Sequence, residues 1–313
     1  MGLTRKRLLL AASESSYGTS SNPIGTDAVL VEDDLKITPL EADSVERKLV
    51  QPYFGTRRKI LVNQRVKVDF SVELVGSGAA GVAPRFGRLL KACGMAETVT
   101  ASTSVAYGLL TDNSAIGSVS LAFHADGQKH LVTGCRGNVK LSGKLAEFPV
   151  LMFEFTGIYS PVVDAAIPTP TFANQATPVV FTQGNTTNLS INGWGNACLS
   201  DFELDLKNSV VYRALVGCTK QVRITDRMAE GKLTIEAPAL ADHDFFADAN
   251  ASAVGAISLQ HGTTAGNICS ISVPNANLYA PQYSDKDGIM MLDISFGMLP
   301  SSAGNDELAL TFT

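Results

Sequence analysis

The sequence predicts a mainly β protein of the α+β class, built from two tandem copies of an antiparallel β-barrel or sandwich module, each with one short helix. Three observations support this class: an ordered internal repeat, a long segment of strict polar–apolar alternation, and a composition rich in turn-forming residues. The 313 residues are 45% hydrophobic and 18% charged, and 27 of them are glycine. Such a chain is too apolar for a disordered protein and long enough for two hydrophobic cores.

The internal repeat is a series of matches that keep their order along the chain. Residues 151–161 match residues 290–300 without a gap, which places Glu154 opposite Asp293. Chance similarity between strands would not preserve the order of several matches, so the repeat indicates two copies of one module. The further matched pairs are 55–62 with 217–224, 67–72 with 232–237, 117–121 with 255–259, and 138–140 with 277–279.

Residues 1–34 are expected to form an N-terminal arm. Around residues 13–27 they are rich in serine, glycine, asparagine and threonine, and they contain one short apolar run. Such a segment cannot bury itself and is expected to be poorly ordered in a free subunit. Leu8, Leu9 and Leu10 are the expected apolar anchor of this arm on a neighbouring copy, and deletion of residues 1–20 is expected to leave a folded protein that no longer assembles.

Residues 35–160 are expected to form the first module. Its clearest strand covers residues 65–74, where Val66, Val68 and Phe70 alternate with charged or polar residues. A period of two means one buried and one solvent-facing surface, as in an antiparallel sheet.

The remaining elements follow from helix and turn signals. A proline in the first turn and a glycine at the end mark a short helix in the first module, and a proline-rich stretch of small residues marks the linker between the modules. Asp242 is the expected N-cap of the helix in the second module. The expected elements are helix 83–94, closing strand 148–159, linker 161–178, second module 179–313, helix 242–250 and closing strand 289–299.

Charge, hydropathy and cysteine usage exclude several classes of protein. A net charge of −5 argues against a protein that grips nucleic acid through its phosphates. No apolar run approaches the roughly 20 residues that span a bilayer, and the apolar stretch after the basic start stops at Ser13, short of a signal peptide. A cytosolic product is therefore expected. The five cysteines are scattered, so neither disulfides nor a metal site is predicted.

The most suggestive chemical motif is the glycine pattern Gly76-x-Gly78-x-x-Gly81. It fits a dinucleotide fingerprint after a strand, but the preceding strand alternates in polarity, whereas a Rossmann first strand is continuously apolar. A flexible loop is the favoured interpretation and a nucleotide site the alternative.

The remaining candidate residues indicate turns rather than chemistry. His124 and His130 flank Asp126-Gly127, which predicts a tight hairpin turn. Trp194 lies among turn residues and is interpreted as a loop anchor. No catalytic residue, cofactor or metal ligand is predicted.

Short motifs recur in a characteristic order over nearly the whole chain. They are residues 36–41, 44–47, 72–78, 83–94, 126–130, 134–139, 153–159, 211–213, 225–227, 261–267 and 300–308. In this order they resemble the major tail tube protein of long, non-contractile-tailed (siphovirus-type) bacteriophages, particularly Mu-like siphophages.

The resemblance implies a structural virion protein that assembles in the bacterial host cytoplasm. Its rings would stack into a tail tube, and DNA would pass through the lumen without sequence-specific binding. The implied partners are further copies of the chain and the tape-measure, tail terminator and distal tail proteins. A distal tail or head–tail connector protein of the same fold is the alternative.

Two expectations concern the ring itself. Two modules per chain predict a ring of three chains that imitates sixfold symmetry, with a ring of six chains as the competing arrangement. Polar and acidic side chains should line the channel, because a channel that held phosphates tightly would stall DNA. The candidates, taken from the solvent-facing positions of the strands, are Asp69, Glu73, Glu154, Glu236 and Asp293.

Overall fold

The computed structural model describes residues 3–313, which contain nineteen strands and two short α-helices. The mainly β prediction is confirmed. In the first half of the chain lie β1 (Arg7–Ser13), β2 (Ala28–Val29), β3 (Lys36–Glu46), β4 (Lys59–Glu73), α1 (Gly87–Ala92), β5 (Met95–Thr100), β6 (Ser104–Leu109), β7 (Val119–Ala125), β8 (Gln128–Lys144), β9 (Val150–Tyr159) and β10 (Val163–Asp164). In the second half lie β11 (Thr186–Ile191), β12 (Leu199–Asp205), β13 (Asn208–Arg213), β14 (Gln221–Arg227), β15 (Glu230–Glu236), α2 (Phe245–Asn250), β16 (Val254–His261), β17 (Cys269–Lys286), β18 (Ile289–Met298) and β19 (Ala309–Phe312).

An antiparallel run of eight strands dominates the structure. Its order is β3-β4-β9-β8-β12-β15-β18-β17. The two halves of the chain meet at the seam between β8 and β12, where Lys144 pairs with Asp201 and Lys140 with Asp205. An ion pair of 2.6 Å between Lys140 and Glu203 crosses this seam. We refer to this run as the eight-stranded sheet.

The two halves repeat the same strand order, which confirms the two copies predicted from the sequence. The first half pairs its strands in the order β1-β7-β8-β9-β4-β3, and the second in the order β11-β16-β17-β18-β15-β12. The short strands β10 and β19 pair with the starts of β8 and β17. We call β1–β10 module 1 and β11–β19 module 2.

The strand registers test the sequence matches residue by residue. Glu154 pairs with Asp69, and Asp293 pairs with Thr234, so the match of 67–72 with 232–237 keeps the same register in both modules. The match of Asn138 with Asn277 is wrong, because Asn138 pairs with Glu154 whereas Gln282 pairs with Asp293. The cause is a shorter connection in module 2, where two residues lie between the paired Lys286 and Ile289, whereas seven lie between the paired Ser142 and Val150 in module 1.

The core lies on one face of the eight-stranded sheet. Val66, Val68 and Phe70 of β4 are buried, as their alternation predicted. The Phe70 ring lies 5.6 Å from that of Phe153 and 5.9 Å from that of Phe155. One hydrophobic cluster connects these side chains with core residues of module 2. The opposite face of the sheet is therefore left to polar side chains.

Both helices are shorter than the sequence predicted. Helix α1 begins at Gly87, several residues after Pro84. In helix α2 the N-cap is Asp244, whose side chain accepts hydrogen bonds from the backbone N–H groups of Phe246 at 3.0 Å and Ala247 at 2.9 Å. Asp242, the expected cap, lies outside the helix because Asp244 satisfies the free N–H groups of the first turn.

Residues 3–34 do not form a separate arm. β1 pairs with β7 over seven positions and with β2 on its other edge. Leu8, Leu9 and Leu10 are buried within their own chain, so these side chains are not available as the expected anchor on a neighbouring copy. The physical reason is that β1 supplies hydrogen-bond partners to the backbone groups on the outer edge of β7, which would otherwise be unpaired. In module 2, β11 pairs in the same way with β16.

The segment 161–178 follows the surface of module 1. Backbone N–H groups along it donate hydrogen bonds to carbonyl groups of that module: Ala165 to Gly127, Thr171 to Gly25, and Ala176 to Gly76, each at 2.9 Å. The segment therefore lies on module 1 along its length, although the sequence predicted a linker.

Candidate assembly surfaces

The five acidic residues predicted to line a channel lie on one face of the eight-stranded sheet, opposite the core. Asp69 and Glu154 pair directly across β4 and β9, and Asp293 pairs with Thr234 across β18 and β15. Glu73 and Glu236 occupy the same face, because each is an even number of residues from Asp69 or Thr234 along its strand. We call this surface the polar face.

The acids on the polar face differ in environment. Asp293 accepts a hydrogen bond of 2.7 Å from the Thr234 hydroxyl and forms an ion pair of 3.2 Å with Lys232. Burial raises the pKa of Asp69, and the nearby ammonium groups of Lys67 and Lys36 offset part of that rise.

The polar face carries paired charges of both signs rather than acids alone. Arg65 donates to Glu41 at 2.8 Å, and Lys67 lies 3.1 Å from the same carboxylate. Hydrogen bonds to these two cations hold the pKa of Glu41 below its ordinary value, although burial acts in the opposite direction. Each basic group on this surface that has an acidic partner is less available to a phosphate.

Two strand edges at the ends of the eight-stranded sheet are unpaired within residues 3–313. At one end β3 pairs only with β4. At the other end, the edge of β17 that pairs with β16 is paired only as far as Asn277, and residues 278–286 of that edge have no partner. Exposed apolar side chains mark both places, among them Leu40 and Val45 on β3 and Tyr283 on β17. Natural proteins rarely leave such edges open to solvent.

The β3–β4 and β13–β14 hairpins end in apolar tips. Val50, Phe54 and Val216 are fully exposed in the two connecting loops. At the opposite end of the sheet, where Glu236 lies at its rim, an open groove of about 480 Å³ is lined mainly by apolar side chains. Its lining includes Phe181, Leu189, Leu199, Ile289 and Met291.

The glycine-rich loop is held by module 2. The Gly76 N–H donates to the side-chain oxygen of Asn267 at 2.8 Å, and the Gly78 N–H donates to the carbonyl of Gly266 at 2.9 Å. Helix α1 begins six residues after Gly81, so the loop does not open into a helix N-terminus as a dinucleotide fingerprint does. The two N–H groups that a phosphate would need are already engaged.

We expect Gly76→Val to destabilise the protein by about 1–3 kcal/mol, because Gly76 packs against the backbone of Gly266 and leaves no room for a side chain. A Cβ atom on Gly76 would lie 2.0 Å from the carbonyl oxygen of Gly266. Gly55→Val is the matched control, since no atom lies within 4 Å of a Cβ there. Chemical denaturation of both variants measures the difference, and equal unfolding free energies would contradict the expectation.

The histidines and the tryptophan have structural surroundings. The predicted hairpin at Asp126-Gly127 is confirmed, with Ala125 paired to Gln128 and both turn residues at positive φ. The Trp194 ring stacks on His243 at 5.7 Å and meets Phe245 edge-on at 5.6 Å. Among the described residues, no group of three or more His, Cys, Asp or Glu side chains is arranged to hold a metal ion.

Comparison with protein-family models gives a match over nearly the whole chain. A family model described as "Phage tail tube protein" matches residues 4–298. A search of curated proteins gives no match. In the part of the chain that the structure covers, none of the helices has the length and apolar character needed to cross a membrane. Since the family match covers nearly the whole chain, the protein belongs to the phage tail tube protein family, whose members are structural components of the virion tail.

Proposed function

We propose that three chains form a ring of six modules and that such rings stack into a phage tail tube around a channel for DNA. The observation that carries this proposal is the seam between β8 and β12, which joins the two modules edge to edge. Two modules that lie side by side in one sheet are suited to successive positions around a ring. The unpaired edges of β3 and β17 lie at the two ends of the same sheet, where further copies would continue it.

The number of strands supports a ring that is open at its centre. Each chain contributes eight strands to the sheet, so three chains would contribute about 24 strands. Barrels of about 8 strands are filled by their own side chains, whereas those of 16 to 18 leave an aqueous channel. At about 4.8 Å between strands, a 24-stranded barrel has a diameter of at least roughly 37 Å between backbones. That width admits a DNA double helix.

We place the polar face toward this channel. Its side chains are hydrophilic, and many of its charges are paired, as in Lys140–Glu203 and Lys232–Asp293. The electrostatic affinity of a surface for DNA rises with each Lys or Arg that neutralises a phosphate. A surface on which most basic groups already have acidic partners would let DNA pass without sequence-specific binding.

The exposed hairpin tips are suited to contacts between rings. They project from one end of the sheet, and the apolar groove opens at the other. A contact between unlike ends of identical subunits repeats without closing and so produces an open stack. We propose that the tips of one ring reach the groove end of the next, and that tape-measure, tail terminator and distal tail proteins contact the same surfaces at specialised positions in the tail.

Two alternatives remain within the same fold. A ring of six chains would require the two modules of each chain to stack radially, and the edge-to-edge seam favours the ring of three. A distal tail or head–tail connector protein would use similar rings without long stacks. Nucleotide binding at Gly76–Gly81 is less favoured, because module 2 engages the N–H groups of Gly76 and Gly78.

Electron microscopy of the purified protein tests the proposal. We expect long tubes whose rings have true threefold symmetry and six similar lobes around an open channel. True sixfold rings with two radial layers would contradict the arrangement of three chains. Isolated rings that never stack, at any concentration, would contradict the tube and favour another tail component.

A further inference from the structure

The outer part of the second module's long hairpin, β13–β14, lies on module 1. The Val222 N–H donates to the Tyr17 hydroxyl at 2.5 Å, and that hydroxyl donates to the Gly134 carbonyl at 3.0 Å. Arg136 donates to the Val222 carbonyl at 3.3 Å, and the side chain of Asn113 donates to the Ile224 carbonyl at 2.6 Å. The hairpin is therefore attached to module 1 through its backbone.

Apolar burial accompanies these hydrogen bonds. Val222 is fully buried and Ile224 is 7% exposed, although both belong to the outer part of a hairpin. Ile224 lies over Gly94, with its Cδ1 atom 3.5 Å from the position of a Cβ on that glycine. The two side chains are buried because module 1 covers them.

The corresponding hairpin of module 1, β3–β4, has no such cover. The match of 55–62 with 217–224 places Ile60 opposite Val222 and Val62 opposite Ile224. The strand pairing is compatible with this match. Ile60 pairs with Val45 in the first hairpin, and Val222 pairs with Tyr212 in the second. Ile60 is 48% exposed. The same face of the same element is thus buried in one module and open in the other.

The covered surface of module 1 also has an open counterpart on module 2. In module 1, Arg136 pairs with Thr156. In module 2, Tyr279 pairs with Ser295, the residue that matches Thr156 in the internal repeat. Tyr279 therefore occupies the position of Arg136. Gly94 and Ser252 each lie two residues after the last residue of a helix, and each has positive φ. Gly94 is buried, whereas Ser252 is exposed and Tyr279 is 41% exposed. The exposed Val254 lies beside Ser252 in the sequence.

We propose that the part of the β3–β4 hairpin just below its tip, residues 43–46 and 59–62, binds the surface formed by Ser252, Val254 and Tyr279 on module 2 of a neighbouring chain. This contact repeats between chains the contact that β13–β14 makes within one chain. It rests on the proposed function, in which modules of neighbouring chains meet side by side. Its chemistry differs from the internal contact, because Tyr279 and Val254 offer an apolar surface where module 1 offers Arg136 and Asn113. Ile60 and Val62 are apolar partners for such a surface.

Three single substitutions test this contact. We expect Ile60→Asp and Tyr279→Asp each to weaken ring assembly at least about 100-fold, measured by size-exclusion chromatography with light scattering over a concentration series. Leu61→Asp is the matched control: Leu61 is 47% exposed on the same strand, but neighbouring strand residues point to opposite faces. We expect it to assemble within about threefold of wild type. Unchanged melting temperatures of the dissociated chains show that the variants are folded.

Mixing the two defective variants tests the direction of the contact. The Tyr279→Asp chain retains an intact hairpin, and the Ile60→Asp chain retains an intact module 2 surface. We expect the mixture to form a one-to-one pair that does not grow further, because only one of the possible contacts is intact. Normal rings from Ile60→Asp, or an equal defect in Leu61→Asp, would overturn this inference and leave the tube intact. Failure of the wild-type chain to form rings would instead overturn the proposed function.

Discussion

Removal of strand β1 is expected to leave the chain unable to fold. β1 lies between β2 and β7, and Leu9, Leu10 and Ala11 on it are completely buried. Leu9 packs in the main core, whereas Leu10 packs with Leu8 in a second cluster on the other face of the strand. Each buried leucine truncated to alanine costs about 2–5 kcal/mol, and a whole domain is stable by only about 5–15 kcal/mol. Deleting residues 1–13 removes the strand and both contacts.

The comparison that isolates this effect is a pair of truncations. Deleting residues 1–5 retains β1 and should leave a cooperative thermal transition, whereas deleting residues 1–13 should abolish it, as followed by circular dichroism. Leu9→Ala should lower the unfolding free energy by about 2–5 kcal/mol. Leu3→Ala, at a residue that is 55% exposed, should change it by less than about 0.5 kcal/mol. A folded chain lacking residues 1–13 would show that β1 is the detachable arm expected from the sequence.

The place of β1 was the main feature that the sequence analysis missed, although a signal was present. Residues 8–12 form an uninterrupted apolar run, which is typical of a strand buried on both faces. The following polar segment instead favoured an arm. Its partner strand β7 lies more than 100 residues away along the chain, and composition does not reveal such a long-range pairing. The internal repeat contained the needed comparison, because β11 occupies the same position in module 2.

The parts predicted correctly depend on local pattern. The alternation in residues 65–74 identified the buried and polar faces of β4, and it placed Asp69 on the face that carries Glu154. The match of Glu154 with Asp293 also gave the correct register in both modules. Local pattern did not locate the seam between β8 and β12, since pairing of two edges depends on which strands remain free after each module has folded.

Replacing acidic residues of the polar face with lysine is expected to make this surface bind DNA that would otherwise move past it. Glu154→Lys and Glu236→Lys place one new lysine in each module, at exposed positions of this face. In a ring of three chains they add six lysines around the channel. A protein that makes 6 to 10 phosphate contacts loses roughly 10³–10⁵ in affinity for DNA between 50 mM and 200 mM salt. The wild-type face should show no comparable binding, because most of its basic groups, including Arg65, Lys67, Lys140 and Lys232, have acidic partners.

Retention of linear duplex DNA by purified tubes measures this difference. Tubes of the double variant should retain DNA at 50 mM salt and release it by 200 mM, with affinity falling about a thousandfold, as expected for six released counterions per ring. The variant with Asp112→Lys and Asp164→Lys has the same net charge, but its lysines lie outside the eight-stranded sheet. If the polar face lines the channel, only the first variant holds DNA inside the tube, where added nuclease does not reach it. Nuclease-sensitive DNA in the first variant would place the polar face on the outer wall, and nuclease-protected DNA in the second would show that a different surface lines the channel.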